Sequence, residues 1–222
     1  MRPAQPAYPP TPRTTPTRYR ERARYDRETV HEVLDEALMC HLGYLNAGRP
    51  VVLPMVHARV GETLYIHGST GSGPMLAAKA STGLPVCVTV TVVDGLVLAR
   101  AAVHHSVNYR SVVIVGTAHL VEDPQLKMAV LQALVDHVVP GRAADSRLPD
   151  TRELAATGVL GLDLVEVSAK VRAGGPVDGP ADTALPHWAG TVPLRLAAGA
   201  PIPAGDLDPA IPTPAYLASY LT

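Results

Sequence analysis

The sequence contains no phenylalanine and only two cysteines in 222 residues. Two cysteines cannot build a disulfide framework or a zinc cluster. Because Cys40 and Cys87 both lie in apolar, strand-like runs, we expect buried, reduced thiols at both positions. The net charge is only -1, which gives no electrostatic footprint for nucleic acid.

Long apolar runs are also missing. No window of the sequence approaches the roughly 18 consecutive apolar residues that a membrane span needs. Residues 1–17 lack the apolar core of a signal peptide. These absences predict a cytoplasmic protein that binds neither a membrane nor nucleic acid.

Three regions differ in composition. Residues 1–17 are rich in proline and threonine, and we predict a disordered N-terminal tail there. Residues 18–173 carry the apolar patterns of one domain. Residues 174–222 are rich in proline and glycine, yet they hold apolar side chains such as Leu185 and Trp188. We expect this extension to pack on the domain or on a partner subunit, since exposed apolar surface of that size is unfavourable.

Capping residues mark the predicted helices. Asp26 precedes a helix predicted over 27–39, whose apolar residues recur with the helical period. Asp123 and a proline open a second helix that ends near residue 139. The segment Asp150-Thr-Arg-Glu153 has the pattern of a capping box and predicts a short helix up to about residue 157.

Strand patterns occupy most of the remaining domain. The Asp94-Gly95 pair predicts a hairpin turn between two β-branched runs, and further turns are predicted at 46–48 and near Gly61. Six or seven antiparallel strands favour a closed barrel, because closure removes exposed sheet edges. The predicted strands are 41–47, 50–58, 62–67, 86–93, 96–103, 109–120 and 159–168.

A loop of small residues follows the strand that ends at His67. It reads Gly-Ser-Thr-Gly-Ser-Gly over 68–73, and a proline directly after it can open a helix. Backbone N–H groups and the hydroxyls of Ser69, Thr70 and Ser72 can converge on a phosphate at such a loop. An ordinary strand-to-helix connection explains the same residues. The loop is neither a Walker loop nor Gly-x-Gly-x-x-Gly.

A second polar segment precedes the strand predicted over 109–120. Residues 104–108 form a loop that brings Tyr109, Arg110 and Ser111 to the start of that strand. Polar groups at the rim of a barrel suit a ligand in its mouth, and Arg110 can bind a phosphate or carboxylate with two parallel hydrogen bonds. An ion pair between Arg110 and a neighbouring acid explains the segment equally well.

The nine histidines raise the question of a metal site. His57, His67, His104 and His105 have no His-x-x-x-His spacing and no close acidic partner, so we predict no protein-bound metal.

The only tryptophan, Trp188, lies in a proline-flanked segment. Its ring can anchor the extension on another surface or cover a planar cofactor.

Four segments carry a further signal: Glu21-Arg-Ala-Arg-Tyr-Asp-Arg27, Leu64-Tyr-Ile-His-Gly-Ser69, Asn108-Tyr-Arg-Ser-Val-Val-Ile-Val-Gly116 and His187-Trp-Ala-Gly-Thr-Val-Pro-Leu194. In this order they resemble the flavin-binding split-barrel proteins related to pyridoxamine phosphate oxidase, in particular the nitroimidazole-reductase-like subgroup. The resemblance implies a mainly β, α+β fold: a six-stranded antiparallel split barrel with peripheral helices. It also implies a homodimer that binds FMN at the subunit interface.

The resemblance assigns roles to individual residues. His67 matches the position that faces flavin and substrate, which makes it the implied catalytic residue. Segment 54–57 would line the isoalloxazine edge, and the loop after His67 would wrap the ribityl chain and phosphate. Some of the remaining residues would come from the partner subunit. The implied cofactor-binding set is Pro54, Met55, Val56, His57, Ile66, His67, Gly68, Ser69, Thr70, Ser72, Lys79, Tyr109, Arg110, Ser111 and Trp188.

The implied function is that of an FMN-dependent oxidoreductase, in which a nicotinamide or other donor supplies electrons for a small planar acceptor. His67 would hydrogen-bond the acceptor or supply a proton, and Arg110 or His57 would fix charge near the pyrimidine end of the flavin. Where the oxidases carry an Arg-Lys pair for the phosphate, this chain offers hydroxyls and glycines. Two alternatives stay open: a flavin carrier or sensor without efficient turnover, and a split barrel that uses a deazaflavin or haem.

Overall fold

The structure, a computed structural model, describes residues 6–220 and the side chains of residues 6–218. No helix in this part of the chain is long and apolar enough to cross a membrane. Of the predicted disordered tail, residues 1–5 lie outside the described residues, and residues 6–17 are placed against the domain. Tyr8 is buried, its N–H donates to the carbonyl of Tyr25, and its hydroxyl donates to Glu62. One aromatic side chain therefore anchors a segment whose composition indicates disorder.

Helix α1 (Arg27–Glu36) begins where the sequence predicts, because the Asp26 carboxylate accepts a hydrogen bond from the N–H of Thr29. It ends three residues earlier than the predicted residue 39, since the next strand already begins at Met39. Val30, Val33 and Leu34 are fully buried. The apolar face of α1 thus packs on the core of the domain.

The described residues form nine strands, all paired antiparallel. Strand order β6-β7-β4-β3-β2-β5 closes on itself, because β5 also pairs with β6. This ring of six strands confirms the predicted six-stranded antiparallel split barrel. Strands β1, β8 and β9 extend the sheet outside the ring. The bounds are β1 Ala23–Arg24, β2 Met39–Asn46, β3 Arg49–Val60, β4 Thr63–Ser69, β5 Leu84–Leu98, β6 Ser106–Leu120, β7 Thr157–Asp163, β8 Glu166–Arg172 and β9 Gly190–Pro193.

The predicted hairpin turn at Asp94-Gly95 is wrong. Strand β5 continues through the pair, and its register to β6 shifts between Val93 and Gly95, which marks a β-bulge. The chain reverses instead at residues 99–105. Strand β9 passes so close that a Cβ on Gly95 would lie 2.9 Å from the carbonyl oxygen of Val192. Tertiary pairing with β9 therefore holds these residues in the strand against their local turn preference.

The single strand predicted over 159–168 is two strands in the structure. Strand β7 pairs with β4 inside the ring, whereas β8 pairs with β6 outside it. The break falls at Leu164 and Val165, where the N–H of Leu164 donates to the carbonyl of Glu62. The sequence gives no warning of the break, because neither residue is a typical turn former.

Three further helices complete the domain: α2 (Gly73–Lys79), α3 (Pro124–Val138) and α4 (Thr151–Ala156). Helix α3 begins as predicted, after the Asp123 carboxylate accepts from two N–H groups of the first turn. The predicted capping box of α4 between Asp150 and Glu153 is also present. Side chains Val130 and Leu134 of α3 pack on Ala58 of β3 and Val159 of β7. Helix α3 therefore covers part of the outer face of the barrel.

Apolar side chains form two separate clusters, one inside the barrel and one beneath α3. Cys40 belongs to the first, as predicted, and burial raises the pKa of its thiol to about 12. Cys87 is exposed on the outer face of β5, so the prediction of burial is wrong there. Successive side chains of a strand alternate between faces, and Val86 and Val88 take the interior.

The extension predicted over 174–222 runs over the barrel of its own chain, and its residues 221–222 lie outside the described part. Three anchors hold it. The Asp178 carboxylate accepts from the N–H groups of Arg100 and Ala101, β9 pairs with β5, and the Tyr216 hydroxyl donates to Asp145 at 2.8 Å. Between the last two anchors, apolar side chains such as Ile202 stay 93% exposed.

Candidate functional site

The predicted site residues of β3 and β4 divide between the two faces of the barrel wall. Met55 and Ile66 point into the barrel and pack on its core. Their neighbours Val56 and His67 point outward, because side chains alternate along a strand. Pro54 is exposed on the same outer face. The site that the sequence predicts as one group is therefore split by the strand pleat.

A cavity of about 540 Å³ lies beneath helix α3, on the outer face of the barrel. Its floor includes Val56 of β3, His67 of β4 and Thr157 of β7, and its roof is formed by α3 and residues 139–149. Nine of its fifteen lining residues are aliphatic or proline. The volume lies within the roughly 300–1,000 Å³ of pockets for small molecules and cofactors. The cavity therefore suits a largely apolar ligand of cofactor size.

His67 is the only histidine among the described residues that line this cavity. Its Nδ1 is buried and makes no hydrogen bond within the described part of the chain. Burial lowers the pKa of the imidazole below its usual value, so the ring is neutral near pH 7. A neutral imidazole with a free lone pair can coordinate a metal ion or accept a proton.

Polar groups gather at one part of the cavity wall. The Arg147 guanidinium donates to both carboxylate oxygens of Glu153, at 2.9 and 2.7 Å, and the hydroxyl of Thr157 donates to the carbonyl of Glu153. The side chain of Arg147 is 69% exposed. The hydrogen bonds from Arg147 lower the pKa of the Glu153 carboxyl to about 2. This part of the wall thus meets solvent and carries a cation that can bind a carboxylate.

His57 faces the interior side of β3 and does not line the cavity. It is fully buried, and its Nε2–H donates to the carbonyl of Leu34 at 2.9 Å. The neighbouring ring of His137, 4.9 Å away between centroids, donates to the carbonyl of Ala37 at 2.8 Å. Both imidazoles thus satisfy carbonyl groups at the end of α1 that the helix itself leaves unpaired. Desolvation lowers the pKa of His57 to about 4.

Three N–H groups of the small-residue loop already donate to other groups of the chain. Thr70 donates to the carbonyl of Ala156, Gly71 to the hydroxyl of Ser69, and Ser72 to the carbonyl of Ser69. The hydroxyl of Ser72 is buried and makes no hydrogen bond to the described residues. The predicted phosphate contact of this loop therefore depends on hydroxyl groups more than on backbone N–H groups. Lys79 is exposed at the end of α2.

Tyr109, Arg110 and Ser111 lie within β6 rather than at its start, since the strand begins at Ser106. The Arg110 guanidinium donates to Asp94 at 2.8 Å and to Glu36 at 2.5 Å. Its side chain is thus held by carboxylates, as in the ion-pair alternative. Because neighbouring residues of a strand face opposite sides, Arg110 and its two neighbours cannot share one site within a chain.

Two strands separate the β6 residues from those of β3. Pro54 of β3 lies opposite His41 of β2, and His41 lies opposite Thr89 of β5. With neighbouring strands about 4.8 Å apart, Pro54 is some 14 Å from β6. Trp188 precedes β9 and is 67% exposed, with its ring packed against Gly190. A single chain therefore does not bring together all the residues that the sequence assigns to one pocket.

The cavity roof is the part of the site that the sequence analysis missed. Its residues include Leu131, Val135 and Val138 of α3, together with Leu148 of the following loop. The sequence of α3 contains a signal for this roof. The helix carries more apolar side chains than Val130 and Leu134, the two that are buried against the barrel.

Among the residues that the structure describes, no group of three or more His, Cys, Asp or Glu side chains can hold a metal ion.

Comparison with known proteins identifies the family. The model of the pyridoxamine 5'-phosphate oxidase family matches residues 26–171. This match covers more than half of the chain and includes the whole ring of strands. The chain therefore belongs to the pyridoxamine 5'-phosphate oxidase family. No curated protein matches the sequence.

Two solved structures are similar over nearly the entire chain. The flavocytochrome Anf3 from Azotobacter vinelandii is 37% identical, with 96% of this chain and 98% of that chain covered and a TM-score of 0.88. The FAD and haem binding protein from Mycobacterium smegmatis is 36% identical, with 90% and 97% covered and a TM-score of 0.84. A 5-nitroimidazole antibiotic resistance protein from Bacteroides thetaiotaomicron is 21% identical over 67% of this chain and 86% of that chain, with a TM-score of 0.56, and shares the fold.

Proposed function

We propose that this member of the pyridoxamine 5'-phosphate oxidase family is an oxidoreductase that binds a flavin and a haem. The observation that carries the proposal is the extent of the similarity. Two relatives above 35% identity, one a flavocytochrome and the other an FAD and haem binding protein, each match at least 90% of this chain. The match thus includes the extension after residue 173 and the roof over the cavity, which lie beyond a minimal barrel.

The residues present fit a haem. A porphyrin is a flat apolar ligand with two carboxylates at one edge, and the cavity beneath α3 joins an aliphatic wall to an exposed arginine. His67 offers an imidazole nitrogen without a hydrogen-bond partner in the described residues. When bound, a haem supplies one-electron chemistry and a flavin two-electron or one-electron chemistry. The chain itself binds them, orients them and excludes water.

The identity of the flavin is a separate part of the proposal. The sequence predicts FMN, through the loop of hydroxyl residues after His67. The Mycobacterium relative binds FAD, which favours the dinucleotide for this chain as well. The outer face of β3 at Pro54, which does not line the cavity beneath α3, offers a backbone edge for the ring in either form.

The acceptor is proposed to be a small planar molecule, as the resemblance to nitroimidazole-reductase-like proteins implies. A flavin carrier or sensor without efficient turnover remains the second candidate. The oxidoreductase and the carrier differ in whether they turn over an acceptor, and not in which cofactors they bind. The cytoplasmic location also stays a prediction.

The first test is chemical identification of the cofactors in the purified protein. Acid release followed by chromatography separates FAD from FMN, and the pyridine haemochrome spectrum quantifies haem. The proposal predicts one flavin and one haem for each chain after reconstitution with both. A protein that binds flavin but never haem contradicts the haem half, and a protein that binds neither contradicts the function. Turnover of nitroaromatic or quinone acceptors then separates the oxidoreductase from the carrier.

We further propose that two copies of the chain associate through the outer face of β2 and β3. Leu45 and Val52 are each 64% exposed there, and Met39 is 43% exposed on the same face. Two strands separate Pro54 from the β6 residues Tyr109 and Ser111, so a second copy is needed to bring both sets to one flavin. Exposed apolar surface on a sheet face is typical of an interface.

Molar mass in solution tests the dimer. Val52→Glu places a charge in the proposed interface and is expected to give a monomer that loses flavin. Val165→Glu is the matched control, since Val165 is also 64% exposed but lies in the turn between β7 and β8. A wild-type monomer that retains flavin would contradict the proposal, as would a Val52→Glu dimer with full flavin content.

A further inference from the structure

The geometry points to His67 as the axial ligand, and the only ligand from this chain, of a haem iron in the cavity beneath α3. This inference rests on the proposed binding of haem. It goes further, because it names the ligand, the position of the group and the coordination number of the iron.

The position of His67 in the cavity wall is the first argument. The residue lies on β4, a strand of the ring that is paired along its whole length with β7. The backbone of His67 is therefore held in place by hydrogen bonds of the sheet. Its side chain points outward beneath α3, and its buried Nδ1 makes no hydrogen bond to the described residues. Buried polar side chains nearly always have a partner. Coordination by iron would give one ring nitrogen the partner that it lacks.

The charge of the cavity wall is the second argument. A histidine binds iron through a lone pair and must therefore be neutral. The charged groups of the cavity wall, Arg147 and Glu153, are paired with each other and so add little net charge there.

The other lining residues are the third argument. Besides His67, the described residues that line the cavity include no histidine, methionine, cysteine, lysine or tyrosine, the usual axial ligands of haem. The opposite wall consists of aliphatic side chains of α3, among them Leu131 and Val135. A haem held by His67 would therefore face an apolar wall on its second side. Iron in such a site is five-coordinate when reduced and binds carbon monoxide without displacing a protein ligand.

The polar part of the wall is the fourth argument. Arg147 already holds the Glu153 carboxylate with two hydrogen bonds, and it lies where the wall meets solvent. A propionate of the haem would reach solvent at this part of the wall, with the porphyrin directed inward, and would exchange with Glu153 to pair with Arg147.

The test compares His67→Ala with His104→Ala, a control on the exposed turn before β6. Both are purified as full chains, reconstituted with haemin and measured for haem content and for the optical and electron paramagnetic resonance spectra. We expect His67→Ala to lose at least about tenfold in haem affinity, whereas the control keeps its haem. Added imidazole should restore the wild-type spectrum in His67→Gly, which shows that coordination and not folding was lost.

Two further measurements keep the outcomes distinct. Leu131→Trp fills the cavity without touching the ligand, and we expect it to exclude haem while flavin content stays unchanged. The wild-type ferrous protein should be high-spin and should bind carbon monoxide. The inference is overturned if His67→Ala retains haem with the wild-type spectrum, or if the wild-type iron is low-spin with two protein ligands. If the wild type binds flavin but no haem, the haem half of the proposed function fails with it.

Discussion

The buried imidazole of His57 makes the stability of the fold depend on pH, with a predictable sign. Its pKa is about 4 in the folded protein because it is desolvated against α1 and His137. In the unfolded chain the same group titrates near its usual value of about 6.5. Between these two values the unfolded state binds more protons, so acidification favours unfolding. The stabilisation is fully present above about pH 6.5 and is lost as the pH falls toward 4.

The magnitude follows from the two pKa values. Between about pH 7 and pH 5, this one group lowers the free energy of unfolding by about 2 kcal/mol. Urea denaturation at both pH values measures it, with His57→Gln as the variant that cannot titrate. The glutamine amide can still donate to the carbonyl of Leu34, which limits the direct cost of the substitution. His104→Gln serves as a control, since His104 is exposed.

Between about pH 7 and pH 5, the wild type and His57→Gln each lose some free energy of unfolding. The difference between these two losses isolates His57, because every other titratable group is present in both proteins. We expect the wild type and His104→Gln to lose about 2 kcal/mol more than His57→Gln over this interval. Equal losses in all three proteins would refute the reasoning, since they would show that His57 is not held neutral by burial.

Three further predictions concern the ion pairs and the extension. Arg110→Ala leaves two carboxylates, Asp94 and Glu36, without their shared cation and should lower the free energy of unfolding by about 2 kcal/mol; a change below about 0.5 kcal/mol in urea denaturation would contradict this. Asp178→Ala removes the anchor at the start of the extension, so limited proteolysis should cut residues 174–189 faster than in the wild type, and an unchanged rate would show that other contacts hold the segment. Trp188→Ala should change stability by less than about 0.5 kcal/mol, because the ring is 67% exposed, but should reduce flavin retention in equilibrium dialysis; full retention would exclude the ring as a cofactor cover.

Local signals in the sequence predict the starts of the elements well. Asp26, Asp123 and Asp150 each cap the helix that the sequence places after them. The turns predicted at 46–48 and near Gly61 also occur, with positive φ at Gly48 and Gly61. These features depend on hydrogen bonds between residues a few positions apart, so a short stretch of sequence contains all the information that they need.

Long-range contacts explain where the sequence misleads. Asp94-Gly95 is a strong turn signal by itself, but pairing with β9, about a hundred residues later, keeps it in a strand. The break between β7 and β8 likewise arises because the two strands pair with different partners, β4 and β6. Neither pairing leaves a trace in the residues around the break.

The candidate site also combines features that local sequence predicts with features that depend on long-range contacts. His67 and Val56 are singled out by the sequence, and both line the cavity beneath α3. The roof of that cavity comes from residues 131–149, far away in the chain, so no motif announces it. Arg110 was a candidate ligand for a phosphate because of its charge, yet Glu36 of α1 holds it from a helix whose position only the fold determines.

Iron itself offers the most direct test of the account. A crystal of the haemin-reconstituted full chain, measured on both sides of the iron absorption edge, locates the metal without any assumption about the ligand. The account predicts one anomalous peak in each chain, beneath α3 and within coordination distance of an imidazole nitrogen of His67. A peak bound elsewhere in the chain, or none at all in a protein that holds flavin, would contradict it.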